Sequence, residues 1–402
     1  LIGATAAAIT WRWGAAREGL FDSAFYLDGA RHLARGDGYV SAMTAPEHSS
    51  FAPITHWAPG LSILIAGVMR LGVAPLEAAS WVLAACYVAG VLLVYALGIR
   101  LAGRSQWAGS ALVSLLFALQ PSTLLCMNAL LSDLPDATFM LLAVWVAAGI
   151  MQSSRPTLRQ RAGLGLALAA MATVRYAGML HVPGLLVATM LGMRVRKRWY
   201  VRAWSLWPAV ALCVLSVGLW SLRNHHVVSE PFGTWISQRS RLSQHFGAAL
   251  QGAFAWLHEL VKVAEPLGLQ AVTKNVLSVA GISLLVLVII SRRRAWRELC
   301  LVVLPALSYF GLMIVTASTL RIATLAETRL WVSVWPLTFL ACLIALAHAP
   351  QRWLLAFKCA VYGALLGAVA LFATQAWQRP PRYQQGRGLL SDRWARAAAR
   401  LP

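Results

Sequence analysis

The chain is written as long apolar runs separated by short polar stretches. Runs near 76–99, 107–125, 134–151, 204–222, 273–291, 298–317, 330–348 and 355–376 are of the length that crosses a bilayer as a helix, about 20 residues. Residues 1–11, LIGATAAAITW, are fewer than that and read as part of a first helix. The stretch 162–193 is different. It is too short for two full spans at a rise of about 1.5 Å per residue, and basic loops flank both of its ends. It is therefore expected to form a broken, V-shaped pair, 162–175 and 178–193, with Arg175 near the tip. The run 59–73, opened by Pro59 and Gly60, is expected to be a short interfacial or re-entrant helix. The pattern predicts an all-α, polytopic transmembrane bundle of about eleven spans over residues 1–376. It also predicts long polar loops at 14–75 and 223–272 and a basic tail at 377–402.

Composition supports the membrane reading. Hydrophobic residues make up 59% of the 402 and charged residues 12%, about half of the ~25% charge of a soluble domain. Mean hydropathy is +0.64. Lys and Arg number 35 against 14 Asp and Glu, a formal net charge of +21. Such a balance often signals nucleic acid. Here the arginines cluster between apolar runs, where anionic lipid headgroups are the fitting partner, and nucleic acid is set aside. The six cysteines show no CxxC or metal-ligand spacing and read as small hydrophobes.

The basic loops orient the chain. Arg100 and Arg104, Arg155 to Arg161, Arg194 to Arg202, Arg292 to Arg297, and Arg352 with Lys358 fall on one side, with Glu298 as the acidic residue among them. That side is expected to be cytoplasmic. Thirteen of the fourteen acidic residues then lie on the outer side or at its edge. Chemistry that needs carboxylates is expected at the outer boundary of the cytoplasmic membrane.

The polar residues at that boundary narrow the chemistry. Asp22 and Asp28 lie in a stretch of helical character, Asp22 to Ala34, and Asp22 is equally readable as a helix cap with Ser23 beside it. His56 and Trp57 precede the helix opened by Pro59. Asp133 and Asp136 flank Pro135; Ser132 or Asp133 can cap that helix, and a divalent metal is the rival reading for the pair. Arg175 inside an apolar stretch is costly unless it faces a bundle interior or a water-filled cavity. Arg223 and Asn224 emerge at the end of one span and Arg329 at the start of another, suited to a phosphate or a sugar. The adjacent His225 and His226 diverge on a helix and have no partner set for zinc. Carboxylates that activate a hydroxyl and arginines that bind phosphate would together serve a lipid-phosphate substrate.

In order and topology the chain resembles the GT-C glycosyltransferases that use polyprenyl-phosphate sugars, in the style of the protein mannosyltransferases and the lipid A aminoarabinose transferases. The resemblance covers about residues 12–345. It rests on Asp22, Tyr26, Ala30, Leu33 and Gly36; on His56, Pro59 and Gly60; and on Ser132, Asp133, Leu134 and Pro135. It continues through Arg175, then Arg223, Asn224, Pro231 and Gly233, and ends at Arg329, Leu330, Trp331 and Pro336. Ser23 stands where many members carry a second acidic residue. The resemblance implies that Asp22 is the catalytic base. It implies that Arg175, Arg223, Asn224, Arg329, His56, Tyr26 and Asp28 contact the sugar or phosphate. The implied partners are a polyprenyl-phosphate sugar, membrane lipid and an acceptor of unspecified identity. No cofactor is required, and a divalent cation at Asp133 and Asp136 is an option. The rival from another class is a transporter or flippase of an anionic or lipid-linked substrate, which would account for the broken pair and Arg175 through alternating access.

Overall fold

The structure is a computed structural model and describes residues 2–13, 21–41, 51–194, 198–230, 242–253, 295–318, 328–348, 362–363 and 366–374. The helices that position the site are α1 (Ile2–Trp13), α2 (Phe21–Arg35), α3 (Gly60–Met69), α4 (Pro75–Ala102), α5 (Trp107–Leu119), α6 (Pro121–Asn128) and α7 (Asp133–Gln152). They continue with α8 (Leu158–Val174), α9 (Val182–Gly192), α10 (Trp199–Ser205), α11 (Trp207–Val228), α12 (Leu242–Ala253), α13 (Ala295–Ser318) and α14 (Trp335–His348). Among the described residues the strands are a two-stranded antiparallel ribbon, β1 (Val40–Ser41) paired with β2 (Ala52–Pro53). The all-α expectation holds.

The span count is coarser than expected. Among the described residues α4, α7 and α13 are each long and apolar enough to cross a membrane. Two bent pairs add further candidates: α5 with α6, turned by 54°, and α10 with α11, turned by 48°. The run 107–125, expected to be one straight span, breaks at Gln120. Pro121 opens α6, and the residue before a proline is pushed into the extended conformation that Gln120 adopts (φ −63°, ψ 130°). The expected span at 273–291 and the basic tail lie outside the described residues, as do Pro231 and Gly233.

The broken pair is present. A capping box between Thr157 and Gln160 starts α8. The helix stops at Arg175, whose backbone is extended (φ −152°, ψ 130°), and a 3-10 turn over Tyr176–His181 leads into α9. The start of α3 packs on this break. A Cβ at Gly60 would lie 2.7 Å from the amide nitrogen of Val174, so glycine permits the contact.

In lipid, helix association depends on close packing and interhelical hydrogen bonds. Tyr87 donates to the Ala118 carbonyl at 2.8 Å and Ser114 to that of Val91 at 2.6 Å, tying α4 to α5. Thr138 donates to the Cys86 carbonyl at 2.9 Å, tying α7 to α4. At the far end of the same two helices Arg100 donates to the Trp145 carbonyl and to Gln152 Oε1, each at 3.0 Å. Helices α4 and α7 therefore run parallel. Their C-terminal ends, joined through Arg100 of α4, lie together, and Asp133 and Asp136 sit at the opposite end.

Candidate functional site

Helix α2 lies across the carboxylate end of the bundle. Ser23 Oγ donates to the Leu130 carbonyl at 2.9 Å, and the Tyr26 hydroxyl donates to Ser132 Oγ at 2.9 Å. Ser62 Oγ of α3 donates to the Tyr26 carbonyl at 2.8 Å. Burial pushes the Tyr26 phenol above its usual range, so it stays a protonated donor. Ser132 stands at the expected cap position of α7, and Asp22 lies within the first turn of α2. Ser23 is bonded to Leu130, and Ser132 makes no side-chain cap on α7.

This anchoring places Asp22 3.1 Å from Arg329, with the two side chains 30% and 25% exposed. Arg329 stands on a 3-10 turn, Thr328–Trp331, whose backbone is fixed from within. The Tyr309 hydroxyl donates to the Leu330 carbonyl at 2.7 Å, and Trp331 is fully buried against the rings of Tyr309 and Phe310.

A second ion pair lies deeper. Arg175 holds Asp133, their side chains 14% and 4% exposed. Asp133 is within electrostatic reach of Arg329 and Asp22 as well, so the two pairs form one charged group. Asp136, one helical turn on, is completely buried and is drawn to the same Arg175 charge. The Ser333 hydroxyl lies beside its carboxylate. His181 Nδ1 faces the Pro305 carbonyl at 3.2 Å, which can only accept, so Nδ1 carries the proton. Nε2 then faces the Ser333 hydroxyl at 3.0 Å. A Cβ at Gly178 would stand 2.5 Å from Asp136 Oδ1, so a glycine makes room for the carboxylate.

The geometry bears on three expectations. The first is the divalent cation at Asp133 and Asp136. Positive charge is already supplied there by Arg175, and among the described residues no three His, Cys, Asp or Glu side chains gather as a metal site. Arg175 thus stands where a cation would balance the charge of Asp133. The second concerns Asp28, which is buried in a chain of its own. It accepts from Ser41 Oγ at 2.6 Å and lies 3.8 Å from His32, which meets Asp37 at 3.0 Å. The third is Arg223. Its terminal nitrogens donate to the backbone carbonyls of Ile54 and Tyr39 at 2.7 and 3.0 Å and to Asn224 Oδ1 at 2.9 Å. Asn224 donates to the Tyr176 hydroxyl at 3.3 Å, and Tyr176 donates to the Thr55 carbonyl at 2.9 Å. Arg223 and Asn224 thus clasp the end of α11, the β ribbon and the break after Arg175. The clasp also puts Arg223 at the same end of the bundle as Asp22. His56 lies half-buried beside Trp57, with ring centres 5.7 Å apart, and Trp57 stacks on Phe25 of α2 at 3.9 Å.

Tyr309 and Ser333 belong to the site and carry no sequence signal beyond a lone polar group in an apolar run. Each meets its partner across a large sequence separation, 152 residues for His181 and Ser333.

No protein-family model matches the chain, and no curated protein matches it by sequence. Solved structures do match in fold. ArnT from Cupriavidus metallidurans bound to undecaprenyl phosphate has a TM-score of 0.56 at 13% identity, over 90% of this chain and 61% of that one. The Archaeoglobus fulgidus oligosaccharyltransferase in complex with Zn and sulfate has a TM-score of 0.56 at 14% identity, over 94% and 53%. The arabinofuranosyltransferase AftD from Mycobacteria has a TM-score of 0.54 at 18% identity, over 95% and 28%. The chain has the fold of the GT-C glycosyltransferases, as its resemblance implied. It spans 61% or less of the length of these three proteins.

Proposed function

We propose that the chain transfers a sugar from a polyprenyl-phosphate donor to an acceptor hydroxyl at the outer face of the cytoplasmic membrane. The observation that carries this reading is the accessible Asp22–Arg329 pair set against the buried Asp133–Arg175 pair on a GT-C fold. Support comes from similar folds whose solved structures hold undecaprenyl phosphate or, in the archaeal oligosaccharyltransferase AglB (TM-score 0.51), dolichol phosphate.

The polyprenyl tail lies in the bilayer beside the bundle and its phosphate meets Arg329. Asp22 takes the proton of the acceptor hydroxyl. The acceptor oxygen bonds to the anomeric carbon as the bond from that carbon to the phosphate oxygen breaks. The electron pair leaves with polyprenyl phosphate, and Arg329 stabilises the charge that develops there. One displacement inverts the anomeric centre. Phosphate is a good leaving group, so no separate acid and no further cofactor is assigned. Arg175, paired with Asp133, frames the site from behind. Tyr26, buried and bonded to Ser132, holds α2 in place, and His56 precedes α3 beside Trp57.

The test is transfer from labelled polyprenyl-phosphate sugars in membranes carrying the native chain or Asp22→Asn. Loss of transfer with retained folding supports Asp22 as base, whereas normal transfer by the variant removes it. Movement of the labelled donor across the bilayer without transfer would instead favour the carrier reading.

A further inference from the structure

Asp22 and Arg329 hold each other, yet the proposed transfer asks each of them for something else. A carboxylate that accepts an N–H at 3.1 Å from a guanidinium has one oxygen engaged and its charge partly neutralised. We infer that Arg329, besides binding the phosphate, masks Asp22 until the donor's phosphate arrives, so that donor binding uncovers the base. This rests on the glycosyl-transfer reading of the same site.

Three observations favour the exchange. Both side chains of the pair are a quarter or more exposed, so an entering anion can reach Arg329. Both backbones are pinned, α2 by Ser23 and Tyr26 and the 3-10 turn by Tyr309 and buried Trp331, so only a side-chain rotation is needed. The neighbouring cation is less free to take the part, because Arg175 is paired with Asp133 and is 14% exposed. A phosphate offers the guanidinium a fork of oxygens and competes well with one carboxylate. Charge then moves in step with the chemistry. As Asp22 takes the acceptor's proton it loses its claim on Arg329, while the leaving phosphate gains charge. The donor should therefore bind before an acceptor hydroxyl can be activated.

The test measures binding of sugar-free polyprenyl phosphate to the purified chain in detergent, for native protein, Asp22→Asn, Arg329→Gln and the double variant. Removing the competing carboxylate should tighten binding by about two- to fivefold, the size of a partly exposed ion pair. Arg329→Gln should weaken binding, with Arg329→Lys recovering part of it, and in the Arg329→Gln background Asp22→Asn should give no gain. Thermal unfolding of each variant confirms that folded proteins are compared. An unchanged affinity in Asp22→Asn overturns the masking, as does an equal gain in both backgrounds, which is simple repulsion between carboxylate and phosphate. Either result leaves the transfer reading standing. If native protein does not bind polyprenyl phosphate, or Asp22→Asn transfers normally, both ideas fall together.

Discussion

Two ion pairs share one end of the bundle and differ mainly in how much water they see. Asp133 and Arg175 are 4% and 14% exposed, and Asp22 and Arg329 are 30% and 25% exposed. The difference sets what each pair can do. A buried pair has been stripped of water, and its partners are compelled to stay together because separation leaves a bare charge in a medium that cannot solvate it. A partly exposed pair can trade its partner for water or for a ligand at little cost. The sealed pair therefore acts as a frame that holds the broken helix against α7, and the open pair can act on a substrate.

The sharpest way to break this comparison is to remove the buried cation. Arg175→Met leaves the buried Asp133 and Asp136 without their nearest positive partner. The expected loss is about 3–5 kcal/mol of stability, read by thermal unfolding in detergent. A loss under about 1 kcal/mol would mean that this pair is as open as the other. Asp22→Asn should behave in the opposite way. Stability should change by less than about 1 kcal/mol, while transfer falls by about 10²- to 10⁴-fold, the range of a lost general base.

How much of this was legible in the sequence follows the range of each interaction. The apolar runs gave the all-α membrane class, and the shortness of 162–193 with one arginine gave the break at Arg175, because helix length and side-chain solvation are local properties. The clasp of Arg223 on the Ile54 and Tyr39 carbonyls brings that arginine to the segment that follows Asp22. Partner choice was not legible. Asp133 read equally well as a cap or a metal ligand because its true partner is an arginine on another helix. Arg223 read as a phosphate ligand because nothing in its own segment shows the carbonyls of Tyr39 and Ile54 waiting for it. Gln120, by contrast, had a local signal in the following proline, one that an unbroken run of hydropathy outweighed.

Smaller effects sharpen the comparison from the hinge between the pairs. Tyr26 lies within electrostatic reach of Asp22, Asp133 and Arg175, and its hydroxyl ties α2 to Ser132. Tyr26→Phe removes that one neutral hydrogen bond and should cost about 0.5–1.5 kcal/mol, again by thermal unfolding. It should also lower transfer more than stability, since it frees the helix that carries Asp22.

Salt gives the least perturbing test. The screening length is about 10 Å at 0.1 M and about 3 Å at 1 M, and screening acts on exposed charges far more than on buried ones. The small melting difference between native protein and Asp22→Asn should therefore shrink as salt rises. The larger difference between native protein and Asp133→Asn should persist, because added ions do not enter the space around Arg175. If both differences faded in parallel, the two pairs would be equally wet, and the division between a frame and a working pair would have no physical basis.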